Sequence, residues 1–356
     1  MENNPIFDLL QSLINAKGPC GEENEIRAVC KQNLQPLVDE MWVDAAGNLI
    51  GKIIGSQSDP LHFINLMVHM DELSLIVKRI NEDGSLRVNP LGAIYPFNFG
   101  QGPVEIMGDK KQFSGILSFG CMHITKETPA INKMIPEEYR GLGKSPVWED
   151  VVVMTRMTLK ELEEAGVHAG TRVVIGKSLR QLHCFQDCIA GYFLDNRASI
   201  AIALTALKQI RDKNKKPKKT IYFVATCSEE MGGHGASYAA RTLSASITLA
   251  IDVGPVAREY NTVLSPSPII VYQDAIALYD KEICDQMVSL GRNLGLKPQS
   301  AIFGNYGSDA SLAYSRGQSA KAGLLCFPVE NTHGYEIAHK DSFNQCADLL
   351  EAYLLT

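Results

Sequence analysis

Acidic and imidazole side chains recur in this sequence directly after short apolar runs, where they could hold metal ions and activate water. The set consists of His69, Asp71, Asp195, Glu229, Glu230, Asp252 and His333. Taken singly, each has an ordinary explanation, such as a helix cap for Asp71 or Asp195. Taken together, carboxylates buried in one place would repel each other unless cations or protons accompany them. Their chemistry therefore depends on whether the fold brings them together.

Four apolar runs of strand length accompany these residues. They cover 62–68, 220–226, 247–251 and 322–327, and each is bounded by polar residues. Runs this short favour buried strands over helices. Apolar residues at helical spacing occur at 5–16, 23–35, 197–212, 233–242, 281–294 and 341–354. Strands that alternate with helices predict an α/β fold, with a mixed, mostly parallel sheet flanked by helices.

Residues 73–176 have a different sequence pattern. They contain short segments in which apolar and polar residues alternate, many Gly and Pro turn signals and one helical stretch at 158–165. That pattern predicts a small β-rich domain inserted into the α/β domain. Residues 1–72 and 177–356 would then form the two parts of the catalytic α/β domain.

In open α/β sheets, ligands bind at the edge formed by the carboxyl ends of the strands. The four strands are followed in turn by His69, by the pair Glu229 and Glu230, by Asp252 and by His333, and Asp195 precedes a helix. Two histidines and three carboxylates, one of them bridging, suit a pair of divalent ions. The sequence therefore predicts a two-metal hydrolytic site.

The two adjacent glutamates are predicted to have different roles. Neighbouring side chains in an extended segment point in opposite directions. Glu230 is therefore predicted to bind metal, and Glu229 to be the general base that moves a proton from a metal-bound water to the leaving amine. Asp71 is predicted to orient the His69 ring.

Composition excludes several other classes of protein. The net charge of -6 provides no positive field for nucleic acid. The start of the chain lacks a basic region followed by an apolar one, and no long apolar run occurs, so neither export nor a membrane is expected. Nine scattered cysteines, an odd number, favour reduced thiols and a cytoplasmic location.

Together the motifs resemble the cobalt- or zinc-dependent aminopeptidases of the glutamyl-aminopeptidase and FrvX-like family, over nearly the whole chain. The matching segments are Val68–Glu72, Leu194–Arg197, Ser228–Gly232, Ile251–Gly254 and the late His333, with Gly18–Glu22 and Gly307–Ala310 in support. The resemblance implies a zinc-peptidase-like catalytic domain with an inserted β-barrel. It also implies two ions per subunit, zinc or cobalt with manganese possible, bridged by Asp195.

The same resemblance implies homo-oligomers of the tetrahedral type, and the choice between a dimer and a dodecamer stays open. Two departures from the family pattern surround His234 and His333. They affect substrate preference and leave His234, or His339 at the expected start of the last helix, as alternatives to His333.

The predicted activity is hydrolysis of the N-terminal residue from short peptides. A metal-dependent deacylase acting on N-acyl amino acids or sugar amides could use the same ions and base. A non-catalytic, metal-stabilised assembly protein is the third hypothesis, although a structural site needs neither a base nor an open coordination position.

Overall fold

The structure is a computed structural model that describes residues 4–57, 59, 63–121 and 146–356. Its strands are β1 (Glu40–Val43), β2 (Leu49–Ile53), β3 (Ile64–His69), β4 (Ser74–Ile80), β5 (Leu86–Leu91), β6 (Gly102–Met107), β7 (Gln112–Ser118), β8 (Val152–Met154), β9 (Arg172–Ile175), β10 (His183–Phe185), β11 (Cys188–Gly191), β12 (Ile221–Thr226), β13 (Ile247–Pro255), β14 (Ile269–Gln273), β15 (Gln299–Ile302), β16 (Lys321–Glu330) and β17 (Glu336–His339). Its helices are α1 (Pro5–Asn15), α2 (Asn24–Leu34), α3 (Pro96–Phe99), α4 (Leu159–Glu164), α5 (Leu194–Asp212), α6 (His234–Thr242), α7 (Lys281–Asn293), α8 (Asp309–Ser315) and α9 (Ser342–Leu354).

These elements form two compact units. The first contains the chain up to residue 72 together with 182–332 and 336–356, and the second contains 73–181 and 333–335. The predicted domain limits at 73 and 176 stay predictions. No helix in the described part of the chain combines the length and apolar character needed to cross a membrane.

The first unit is built on a mixed sheet with the strand order β1-β2-β12-β3-β13-β16-β17-β11-β10, and β14 joins it beside β16. The four central strands, β12, β3, β13 and β16, run parallel. The neighbouring strands β2, β14 and β17 pair antiparallel with them, and β15 pairs parallel with β14. The four central strands are those that the apolar runs predict, so the predicted sheet is confirmed. Residue 62, the predicted start of the first run, lies outside the described residues.

Helices cover both faces of this sheet. Alternate residues of β3 point to opposite sides, so Leu66 and Val68 join a large core with α1, α5, α7 and α9, whereas Met67 joins a smaller core with α6. Small residues such as Ala236 and Ala313 let α6 and α8 pack closely on that second face. Because every residue of β3 and β12 is buried, both strands are mostly apolar in sequence.

The second unit contains a closed barrel in the order β4-β5-β8-β7-β6-β9. Its pairings are antiparallel, and the short helix α4 begins with a capping box between Thr158 and Glu161. The predicted β-barrel is therefore confirmed for the described residues. Residues 122–145, between β7 and β8, lie outside them.

Candidate active site

The parallel strands bring most of the predicted residues to one edge of the first unit. Donor atoms of His69, Asp195 and Asp252 all lie within 4.8 Å of one another, and so do those of His69, Glu229 and Glu230. The two groups share His69. His69 ends β3 beside Thr226, the last residue of β12, which explains why the loops after these strands converge.

The His69 ring is held at both nitrogens. Its Nε2 lies 3.0 Å from Oδ1 of Asp195, and its Nδ1 lies 3.2 Å from the backbone oxygen of Asp71. The Asp71 carboxylate is farther away, with Oδ1 at 3.7 Å from Nδ1. The protonated ring donates from Nδ1 to that backbone oxygen and from Nε2 to Asp195, and loss of the Nε2 proton would free that nitrogen to bind a metal.

The Asp71 carboxylate fixes the turn that carries the glutamates. Its Oδ1 accepts a hydrogen bond from the Glu229 N–H at 2.9 Å, and its Oδ2 accepts from the Glu230 N–H at 3.0 Å and the Cys20 thiol at 3.1 Å. The prediction that Glu229 and Glu230 lie in an extended segment is wrong. Residues 229–232 form a turn, and Ser228 has a φ of 54°. A turn held by a buried carboxylate, and not strand geometry, therefore sets where the two glutamates point.

Asp195 occupies an irregular start to α5. Phe193 has a left-handed φ of 67°, and Asp195 itself has non-helical angles and a cis peptide bond to Asn196. The Asp195 N–H donates to Oε2 of Glu336 at 2.9 Å, and the Thr332 hydroxyl lies 3.5 Å from its Oδ2. The Asp195 carboxylate thus lies between His69 and Thr332.

His333 lies in the three-residue stretch that clusters with the second unit, where its Nδ1 is 2.7 Å from the Ala93 backbone oxygen. Thr332 and Glu336, which flank that stretch in the first unit, both contact Asp195. The role of His333 as a ligand stays a prediction.

The two alternatives to His333, His339 and His234, lie outside the clusters of potential metal ligands in the described residues. His339 is the last residue of β17. It does not lie at the start of the last helix, as predicted, because that helix begins at Ser342. The His339 Nε2 lies 3.4 Å from Asp187, and its Nδ1 accepts from the Asp341 N–H.

Asp309 is a buried carboxylate whose position the Gly307–Ala310 motif indicated without assigning it a role. Its side chain is 2% exposed, and its Oδ2 accepts a hydrogen bond from the Thr226 hydroxyl at 2.5 Å. Burial raises the pKa of Asp309 to about 6. Its placement at the end of β12 depends on α8 packing against the sheet, which no local pattern reveals.

The electrostatics of the site favour a bound cation. Burial raises the pKa of Glu229 well above its ordinary value, and it does the same to the pKa of Asp252, with the neighbouring Asp195 charge adding to the effect. Burial alone would lower the pKa of His69, but the hydrogen bond to Asp195 and the charge of Glu229 raise it well above its usual range. Carboxylate and imidazole donors that otherwise need protons fit divalent ions.

Removing divalent ions is therefore expected to make stability fall as pH rises from about 5 to about 8. The raised pKa values of Glu229, Asp252 and Asp309 mean that the folded state keeps protons that the unfolded chain has lost. That stability is present below the ordinary carboxyl pKa, 3.8 for Asp309, and is lost as pH passes the folded value of about 6. The raised pKa of His69 acts in the same direction, since its contribution is lost above its folded pKa.

Thermal unfolding midpoints measured with a chelator across this pH range test the prediction, and zinc- or cobalt-loaded protein is the control. Ions that replace the protons should remove the decline. A chelated protein that unfolds at a higher temperature near pH 8 than near pH 5 would contradict it.

Comparison with known proteins yields one family and several solved structures of the same fold. The sequence model of the M42 glutamyl aminopeptidase family matches residues 47–349. A putative aminopeptidase of Acetivibrio thermocellus is 25% identical over 360 residues, covering 98% of each chain. An aminopeptidase from Desulfurococcus kamchatkensis superposes with a TM-score of 0.86 at 23% identity, over 98% of this chain and 94% of that one.

The TET1 peptidase of Pyrococcus horikoshii, described as assembling into a tetrahedron or a large octahedral shell, has a TM-score of 0.81 at 23% identity. The alignment covers 98% of this chain and 99% of that chain. These structures show the shared fold. The family match spans well over half of the chain, so the predicted membership is confirmed and this protein is an aminopeptidase of the M42 glutamyl aminopeptidase family.

Proposed function

We propose that this aminopeptidase removes the N-terminal residue from short peptides with the help of two divalent ions. The ligands would be His69, Asp195, Glu230, Asp252 and His333. The observation that carries the proposal is the pair of donor groups that share His69, each within 4.8 Å. Two neighbouring ions need several carboxylates to offset their charge, and the described residues place these beside His69, with Asp195 as the proposed bridge.

When bound, such ions polarise the scissile carbonyl and lower the pKa of water. Glu229 is the general base in this proposal. It takes a proton from the attacking water and passes it to the leaving amine. Burial raises the pKa of Glu229 above its ordinary value, which supports that role because it makes the carboxylate a stronger base.

Asp71 is a positioning residue in the same proposal. Its backbone oxygen orients His69, and its carboxylate holds the backbone of both glutamates. One buried residue thereby sets the relative placement of a metal ligand and the base. Errors of about 1 Å in such placement cost roughly 10²-fold in rate.

We further propose zinc or cobalt as the ions, with manganese as a weaker candidate, since imidazole and carboxylate donors accept all three. A homo-oligomer, a dimer or a dodecamer, is supported by the assembly described for the Pyrococcus horikoshii peptidase. The nine cysteines are all free thiols, which supports a cytoplasmic location.

The proposal is tested with aminoacyl-anilides and their N-acetylated counterparts, using protein stripped with a chelator and reloaded with zinc, cobalt or manganese. We expect cleavage of the free-amine compounds to return only with metal. Cleavage restricted to the acetylated set would instead establish the deacylase, and metal binding without cleavage of either set would favour the non-catalytic hypothesis.

A further inference from the structure

Arg197 lies two residues after Asp195 and is completely buried. Its Nη2 pairs with Oε2 of Glu72 at 2.7 Å, and both side chains are 0% exposed. A buried ion pair contributes little net stability compared with an apolar pair of similar volume, because desolvating both charges is costly. Stability alone therefore does not explain an Arg197–Glu72 ion pair at this position beside the site.

Two further hydrogen bonds of the Arg197 side chain reach the segment that bears His69 and the residue that follows α1. Nη1 donates to the backbone oxygen of Met70, the residue between His69 and Asp71. Nη2 also reaches the Ala16 backbone oxygen at 3.4 Å. One guanidinium thus holds the segment from His69 to Glu72 against the start of α5, where Asp195 lies.

The first turn of the chain leaves room for this arrangement. A Cβ atom placed on Gly18 would lie 2.8 Å from Nη2 of Arg197 and 2.6 Å from Ile26. The Gly18 backbone oxygen accepts from the Glu72 N–H at 2.9 Å. A side chain at residue 18 would displace the guanidinium, which gives a physical reason for glycine in that turn.

We propose that Arg197 is a positioning residue for the metal centre: it fixes the segment carrying His69 and Asp71 relative to Asp195. The inference rests on the proposed two-metal function. The rigid, planar fork of the guanidinium suits this task, because it bonds a carboxylate and a backbone oxygen at fixed angles. The ion pair then sets the separation of His69 and Asp195 on two different elements.

The test is the double variant Arg197→Met with Glu72→Gln, which removes both charges and leaves neither buried without its partner. Its matched control is Arg211→Met with Asp39→Asn, which removes a half-exposed ion pair from the other end of α5. Each protein is examined by thermal unfolding, by the absorption spectrum and dissociation constant of bound cobalt, and by kcat and KM.

We expect the Arg197 double variant to fold and to bind cobalt roughly 10- to 100-fold more weakly, the range for partners that orient metal ligands. The cobalt spectrum should change, and kcat should fall more than KM rises. The Arg211 variant should match the wild type. A folded Arg197 variant with unchanged cobalt affinity and spectrum would overturn the proposal.

If the double variant does not fold, the single variant Arg197→Lys tests the same proposal. Lysine keeps the charge beside Glu72 but lacks the fork that reaches Met70 and Ala16. Cobalt binding of wild-type strength in this variant would also overturn the proposal. Wild-type protein that binds cobalt but cleaves no anilide would contradict the proposed function, while the cobalt measurements would still decide the role of Arg197.

Discussion

Glu229→Gln is expected to lower kcat by about 10²- to 10⁴-fold, the usual contribution of a general base, while metal content stays at the wild-type level. Glutamine keeps the size of the side chain and the backbone bond from residue 229 to Asp71, but it has no basic oxygen. Turnover of an aminoacyl-anilide and metal analysis of the same sample measure the two quantities.

Two further variants sharpen this experiment. Glu230→Gln should lower metal content together with activity, because Glu230 is the proposed ligand of the pair. Glu282→Gln changes an exposed glutamate, 87% accessible in its side chain, and should change neither quantity. Turnover of Glu229→Gln near the wild-type rate would remove Glu229 from its proposed role.

Asp195→Asn is expected to reduce bound metal from two ions to one or none, and kcat/KM by about 10³-fold or more, since divalent ions supply several kcal/mol of transition-state stabilisation. Asparagine fits the same space and keeps the N–H bond to Glu336, but it cannot bridge two cations as a charged group. Metal analysis and anilide cleavage over a range of zinc or cobalt concentrations provide the measurement.

The matched control is Asp212→Asn at the far end of the same helix, where the carboxylate pairs with Lys208 on the surface and is 62% exposed. Exposed pairs of this kind contribute about 0 to 1 kcal/mol, so metal content and activity should stay unchanged. Two ions retained in Asp195→Asn would mean that Asp195 does not bridge them.

The central sheet could be predicted because its signal is local. Each of the strands β3, β12, β13 and β16 is largely buried, and a parallel strand covered on both faces is mostly apolar. The identity of the residues that follow those strands is then read directly from the chain. The antiparallel outer strands could not be predicted from the sequence, because their pairing depends on contacts between distant segments.

The contacts between the proposed site residues could not be predicted from the sequence. The sequence predicts that Asp71 orients His69 but does not say through which atom; in the structure the Asp71 backbone oxygen lies closer to the ring, and the carboxylate binds the turn of Glu229 and Glu230. The direction of a short side chain in a turn is set by the donors around it. Those donors come from residues more than 150 positions away.

By itself, the sequence determined which side chains could do chemistry and which apolar runs they follow, because runs of apolar residues and the residues that follow them are properties of the local chain. Only the structure showed that Asp252 lies inside β13 and not after it. Only the tertiary structure decided that His69 meets Asp195, that His339 faces Asp187, and that Arg197 is buried against Glu72. The reason is physical: these contacts join segments far apart in the chain, and they form only when helices and strands pack around a common core.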